Sequence, residues 1–457
     1  MSAPIRKPSM EDFPQPLLDW VAGRAIEEVE CVIPDVVGFA RGKAMPLKKF
    51  LNTERMFLSP ALFYQTVSGD YAEVEFKNAW TERDMVMIPD IVTMRAVPWT
   101  QDVTIQTICD LYHQDGTPVG FAPRNVLRRV LDLYKDKGWR PVIAPEMEFY
   151  LTKPNLDPTD EIEPPLGRTG RRATGRQAYS ISGVDDFGPV VDDIYDFAEA
   201  QGLEIDTIIQ EDGAGQLEIN LKHGDPMELA DEVFTYKRMI REAALRHNCY
   251  ATFMAKPIED QPGSAMHIHQ SVEDAATGRN IFSADNGGRS VHFWNYIGGL
   301  QRYLPAAILI LAPYVNSYRR LVPDASAPIN LEWGRDNRTV GLREPVSKAS
   351  ARRIENRVVG MDANPYLAFA ATLACGYLGL IEAERARKPI EGEAYDLPHS
   401  LPRGVLDAIT LFQSEPKLAE ILGPDFCALY SAIKMTEANE FLAVISPWER
   451  EHLMLSV

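Results

Sequence analysis

The chain is short of the residues on which several kinds of protein depend. It has only five cysteines in 457 residues (Cys31, Cys109, Cys249, Cys375 and Cys427), an odd number with no CxxC pair. That excludes a disulfide framework and a structural zinc site, and it fits a reducing, cytoplasmic setting. Basic residues are outnumbered, 47 Lys+Arg against 65 Asp+Glu, and the net charge of −18 excludes a nucleic-acid or anionic-membrane surface as the main partner. An anionic substrate stays open, because a site is set by its local charge. No GxxxxGK[ST] run is present, so a nucleotide is not held by a P-loop. The first residues, MSAPIRKPSMEDF, lack an apolar core, and no export signal is expected. The longest apolar run, PYLAFAATLACGYLGLI from Pro365, falls short of a comfortable membrane span and leads directly into EAERARK. Asn364 as N-cap and Pro365 at the first helical position mark it as a buried helix.

What is present is an ordinary globular balance, 45% apolar and 25% charged. At this length two domains are expected, an α+β chain with a small domain over residues 1–115 and a larger α/β domain over 116–457. An amphipathic helix is expected near LLDWVAGRAIEEV. Strand-like runs follow at VECVIPDVVGFARGKAMP, DMVMIPD and RAVPW, broken by Pro and Gly. NVLRRVLDLYKDKG has helical spacing and ends on Gly138. The Pro-, Gly- and charge-rich stretch 152–177 reads as an exposed loop. Its basic part, GRTGRRATGR, lacks the interleaved aromatics that an RNA contact would use.

Titratable residues sit where strands are expected. GSAMHIHQS places His267 and His269 two apart, which in a strand puts both rings on one face. In PVIAPEMEFYL, Glu146 and Glu148 alternate with Pro145, Met147 and Phe149. In QEDGAGQLEINL, Glu211 opens a Gly-rich turn and Glu218 lies in an alternating strand. In ARRIENRVVG, Arg353, Glu355 and Arg357 share a face. Buried carboxylates are costly unless paired or metal-bound. Carboxylate and imidazole donors without thiolates suit Mg²⁺ or Mn²⁺, and the interleaved arginines point to an anionic ligand such as phosphate.

Together with NSYRRLVP, NRTVGLREP and DANPYLA, these segments resemble the glutamine synthetase superfamily, in order and over nearly the whole chain. GFARGKAMPL, APRNVLRRVL and YATFMAKP are most similar to its γ-glutamylpolyamine synthetase branch. The resemblance implies an N-terminal β-grasp domain, a C-terminal catalytic domain of the glutamine synthetase type, and two stacked hexamers forming a homo-dodecamer. It also implies ATP, glutamate and an amine as substrates. Glu148, Glu211 and Glu218 correspond to ligands of one metal, and Glu146, His267 and Glu355 to those of a second. His269, Ser271, Arg338, Arg343 and Arg353 correspond to groups around ATP, with Arg338, Glu211 and His269 closest to the chemistry. Gly263, Arg320 and Arg357 correspond to the glutamate site.

The chain also departs from the pattern of ammonia-using members. Its flap, VPDASAP, has Ser326 where they carry glutamate, MFLSPALFYQ replaces a DGSS-like turn, and Pro262 stands where they place Asn. Losing two carboxylates that would grip ammonium implies a roomier pocket, walled by Tyr179 and Ser326, for a primary amine such as putrescine. Asp324 and Glu344 are candidates to take the amine's proton. Tyr395 resembles a loop tyrosine that some relatives modify, and is expected in a solvated loop. An ammonia-using glutamine synthetase and a non-catalytic structural or sensing relative remain the alternatives.

Overall fold

Two sheets carry the molecule, a computed structural model that describes residues 7–74, 81–323 and 326–457. The first is built from β1 (Glu28–Pro34), β2 (Ala40–Pro46), β3 (Met56–Leu58), β4 (Met85–Pro89), β5 (Arg95–Ala96) and β6 (Thr104–Tyr112). Its order is β2-β1-β6-β4-β3, with β5 paired to β6. Only β1 and β6 run parallel. The helix expected at LLDWVAGRAIEEV is confined to Gln15–Trp20. Gly23 turns the chain at φ +76°, and EEVECV then alternates as a strand between two neighbours, so tertiary pairing overrides the helical pattern.

The second sheet contains β7 (Trp139–Thr152), β8 (Ile205–Gln210), β9 (Gln216–Leu221), β10 (Tyr250–Thr252), β11 (Ile268–Asp274), β12 (Trp333–Arg335), β13 (Leu342–Glu344) and β14 (Ile354–Asn356). Its order is β12-β13-β14-β11-β7-β9-β8, with β10 on β7. Along β7 the period of two buries Met147 and Phe149 completely, leaving Glu146 and Glu148 on the opposite face. That face becomes the site.

Helices pack on the other side. The run from Pro365 forms Pro365–Glu382, capped by Asn364, whose side chain accepts from the amides of Tyr366 and Leu367. It has the length and apolarity to cross a membrane, but 89% of it is buried inside the protein. Its neighbour Val291–Leu311 approaches at paired glycines. A Cβ on Gly299 would stand 2.5 Å from the Gly379 Cα, so only glycine permits this contact. The helix at NVLRRVLDLYKDKG runs Pro123–Asp136 and stops before Gly138 at φ +71°. Its Arg124 ties the first sheet to the helix Pro226–Arg246. It is bidentate to buried Asp231 (3.0 and 2.7 Å) and also reaches Asp110 (2.6 Å) and Asp90 (2.9 Å) of the first sheet.

Candidate active site

The order β13-β14-β11-β7-β9 places the titratable positions side by side. Glu148 lies opposite Glu218, His269 opposite Glu355, and Glu355 opposite Arg343. Although β11 begins one residue after His267, both imidazoles do share a face. His267 Nδ1 is 2.9 Å and His269 Nε2 2.8 Å from the two oxygens of Glu146.

Two donor sets result, each with its atoms within 4.8 Å of one another: Glu146, His267 and Glu355, and Glu148, Glu218 and His267. The first is the triad expected for one metal. In the second His267 stands where Glu211 was expected. Glu211 lies instead on the turn after β8, on the wall of the same cavity, where its carboxylate accepts from the Asp212 amide at 3.3 Å.

The electrostatics fit a divalent cation. Burial, then the charge of Glu211, pushes Glu148 well above the usual carboxylate range. Burial, then Glu146 and Glu148, does the same to Glu218. Burial pushes His267 down to about 4, so the ring is a neutral donor at pH 7. Burial opposes the ionised form of Glu355, but Arg357 and the two histidines hold it at about 2. Like-charged buried oxygens crowded together are what a bound cation relieves, and the set contains no thiolate.

Arginines ring this centre. Glu355, 1% exposed, accepts from Arg343 Nη1 at 2.7 Å and Arg357 Nη1 at 2.5 Å. Each of these arginines keeps a buried Nε without a protein partner. Arg353 Nε donates to His269 Nδ1 at 3.2 Å. Arg320, 3% exposed, gives its Nη groups to the carbonyls of Val358 and Arg357, both at 2.8 Å, and burial lowers it to about 10. Gly263 lies against it. A Cβ there would be 2.5 Å from the Ala255 carbonyl oxygen and 2.6 Å from Arg320 Cγ.

Two cavities meet at Glu146. One of about 790 Å³ takes in Glu146, Glu148, Glu218 and His267 of the metal donors, with Gly263, Arg320, Arg338, Arg343, Arg357, Tyr179 and Ser326. The other, about 610 Å³, reaches His269, Ser271 and Arg353. Tyr179 (φ +62°, 64% exposed) and Ser326 (φ +56°) both have left-handed backbones, a strained state for side-chain-bearing residues.

Two further expectations change, and one is untested. Glu344 lies outside the first cavity, buried and gripped by Arg289 through three hydrogen bonds of 2.6–3.0 Å, so it is unsuited to accept a proton from substrate. Asp324 falls outside the described residues. Tyr395 is not in a solvated loop. It is half-buried on the cavity wall, and its hydroxyl donates to the Ala327 carbonyl at 3.1 Å. Sequence patterning also gave no sign of Gln216, whose amide donates to the Gly263 carbonyl at 3.0 Å and to Glu148 at 3.4 Å, or of Glu393 on the cavity wall. Gln216 opens β9 on the same face as Glu218, but an uncharged amide there does not stand out, and Glu393 lies in a loop where periodicity carries no signal.

Sheet and site together define a mixed α/β protein with an oxygen-rich divalent-cation centre beneath an arginine-lined anion cavity. The family described as glutamine synthetase, catalytic domain, matches residues 120–453. The chain is 34% identical to γ-glutamylputrescine synthetase PuuA of Escherichia coli (strain K12), over 93% of this chain and 91% of that protein. It is 31% identical to glutamate–isopropylamine ligase of a Pseudomonas species, over 94% and 95%. Among solved structures, ligand-free GmaS superposes with a TM-score of 0.81 at 26% identity, covering 94% of this chain and 97% of that one. The chain belongs to the glutamine synthetase family. It is an ATP-dependent glutamate–amine ligase; enzymes of that family use divalent metals, and the two donor sets here are of a kind that could hold them.

Proposed function

We propose that the enzyme joins the γ-carboxylate of glutamate to a primary amine, putrescine or another small alkylamine, through a γ-glutamyl phosphate. The observation that carries this reading is the cavity above the metal donors. It is walled on one side by Ala178, Tyr179 and Ile209, and Ser326 stands on it at the flap position where ammonia-using members carry glutamate. An apolar wall without that acid favours an alkyl chain over a small ammonium ion.

Glu146, His267 and Glu355 would hold one Mg²⁺ or Mn²⁺, and Glu148 and Glu218, with Glu211 closing in or His267 shared, a second. Such cations supply charge neutralisation and Lewis-acid polarisation of phosphate oxygens. His269, Ser271, Arg343 and Arg353 orient ATP, with Arg343 presenting its unpaired Nε. Gly263, Arg320 and Arg357 form the glutamate subsite, where Arg320, held by two carbonyls, fixes the pocket rather than reaching freely. In the first step a γ-carboxylate oxygen attacks the γ-phosphorus and ADP leaves. Two anions must approach, so guanidinium groups placed beforehand lower the barrier. In the second the amine nitrogen attacks the acyl carbon, phosphate leaves with the C–O bond, and one proton leaves the nitrogen. Arg338 steadies the departing phosphate and Glu211 lies on the amine side. Before that attack an alkylammonium with a pKa of about 10.4 must give up a separate proton, at about 4 kcal/mol near pH 7.4, so this proton too needs an acceptor in the site.

On the same reading the first sheet is a β-grasp domain within residues 1–115, and residues 116–457 form the catalytic domain. The chain assembles as two stacked hexamers and works in the cytoplasm without a nucleic-acid or membrane partner. ATP turnover with glutamate and a panel of amines, ammonium included, tests the function. Ammonium outperforming every alkylamine at modest concentration would overturn it.

A further inference from the structure

The loop carrying Glu393 is stitched along the segment that carries the flap. The Ile390 amide donates to the Trp333 carbonyl (2.9 Å), Asn337 Nδ2 to the Gly392 carbonyl (2.9 Å), and the Ala394 amide to Thr339 Oγ1 (2.8 Å). Asn330 Nδ2 donates to the Ala394 carbonyl at 2.8 Å, and Tyr395 Oη to the Ala327 carbonyl. The backbone is thus pinned on both sides of position 393, and Ala394 is fully buried. The Glu393 side chain is left exposed on the wall of the 790 Å³ cavity that Arg338 and Thr339 also line. Among the described residues no Lys, Arg or His pairs with it. It is a carboxylate on a fixed backbone, in neither metal-donor set, and its side chain does not cap the helical turn it precedes.

We infer that Glu393 determines acceptor specificity by receiving a second, distal ammonium group, so that the site prefers a diamine over the monoamine of equal length. This rests on the reading that the acceptor is a primary amine. The attacking nitrogen must be neutral, whereas a distal nitrogen stays protonated at pH 7 and needs a counter-charge where the alkyl chain leaves the apolar wall. A fixed carboxylate meets it at little ordering cost, since only the substrate end has to be immobilised.

The test compares kcat/KM for 1,4-diaminobutane and n-butylamine with saturating glutamate and ATP. The wild type should prefer the diamine, the preference should weaken as ionic strength rises, and Glu393→Gln should lower the diamine-to-monoamine ratio about tenfold, chiefly through KM. Glu393→Lys should raise the relative use of 4-aminobutyrate, whose distal group is negative; a structural role would not produce that gain. A wild-type ratio near one, a ratio that Glu393→Gln leaves unchanged, or equal losses on both amines would overturn the inference. If n-butylamine is a good substrate in those cases, the amine-ligase reading survives. Preference for ammonium over all amines would remove both.

Discussion

Replacing Glu355 by Gln is the sharpest test of the cation centre, because the change keeps shape and removes one charge. Glu355 is 1% exposed and accepts from Arg343 at 2.7 Å and Arg357 at 2.5 Å. Glutamine keeps one acceptor oxygen but turns an NH₂ toward the other guanidinium. One charge-assisted hydrogen bond, worth about 1.5–3 kcal/mol, is lost, and buried Arg357 loses its counter-charge, while Arg343 keeps Asp336 at 2.6 Å. Breaking a buried pair on one side costs about 3–5 kcal/mol, and relief of repulsion with Glu146 places the expected loss near the lower end, about 3 kcal/mol. Removing one anionic donor from the triad with Glu146 and His267 should weaken Mn²⁺ or Mg²⁺ binding about a hundredfold, about 2.7 kcal/mol at 1.36 per decade. Urea unfolding of the metal-stripped protein reads the first quantity, and metal titration of the folded protein reads the second. A variant with wild-type unfolding and metal midpoints, and full coupling of ATP cleavage to amide formation, would refute the reasoning.

Three further outcomes follow from the same geometry. Because Glu148 and Glu218 have raised pKa values, the native metal-stripped protein binds more protons than the unfolded chain, and its stability should fall as pH rises above about 4.3. His267, lowered to about 4, and Glu355, held at about 2, contribute no slope above pH 7. Between pH 7 and 9 Tm should therefore drop without metal, and added Mg²⁺ should raise it more at pH 8.5 than at 6.5; a flat profile would count against the buried acids. Gly263→Ala puts a methyl group 2.6 Å from Arg320 Cγ. It should destabilise by about 1–3 kcal/mol and raise KM for glutamate more than KM for ATP, as steady-state kinetics would show. Tyr395→Phe removes the hydrogen bond to the Ala327 carbonyl. It should cost about 1 kcal/mol and raise KM for the amine while leaving metal binding as in the wild type, checked by kinetics and metal titration.

Local patterning was enough to locate much of this protein. Period-two alternation marked β7, β9 and β11 and put the carboxylates and imidazoles on definite faces, because a strand offers a side chain only two directions. The cap Asn364-Pro365 and the scarcity of charge after it marked the central helix. The residue types, oxygen and imidazole without thiolate, narrowed the metal. Register and distance were decided elsewhere. That Glu148 faces Glu218 across a ladder, that His267 rather than Glu211 completes the second donor set, and that Arg320 is spent on two carbonyls all depend on how strands far apart in the chain align. Loops and the shortest elements were least legible, since Glu344 ends a three-residue strand and Glu393 and Tyr395 lie at a single helical turn, all too short for periodicity to report a direction. Pairing with Arg289 withdrew the first from the cavity, and hydrogen bonds to the flap segment turned the other two toward it. The sequence set which side chains were available and which way strand residues point; long-range pairing decided which of them meet.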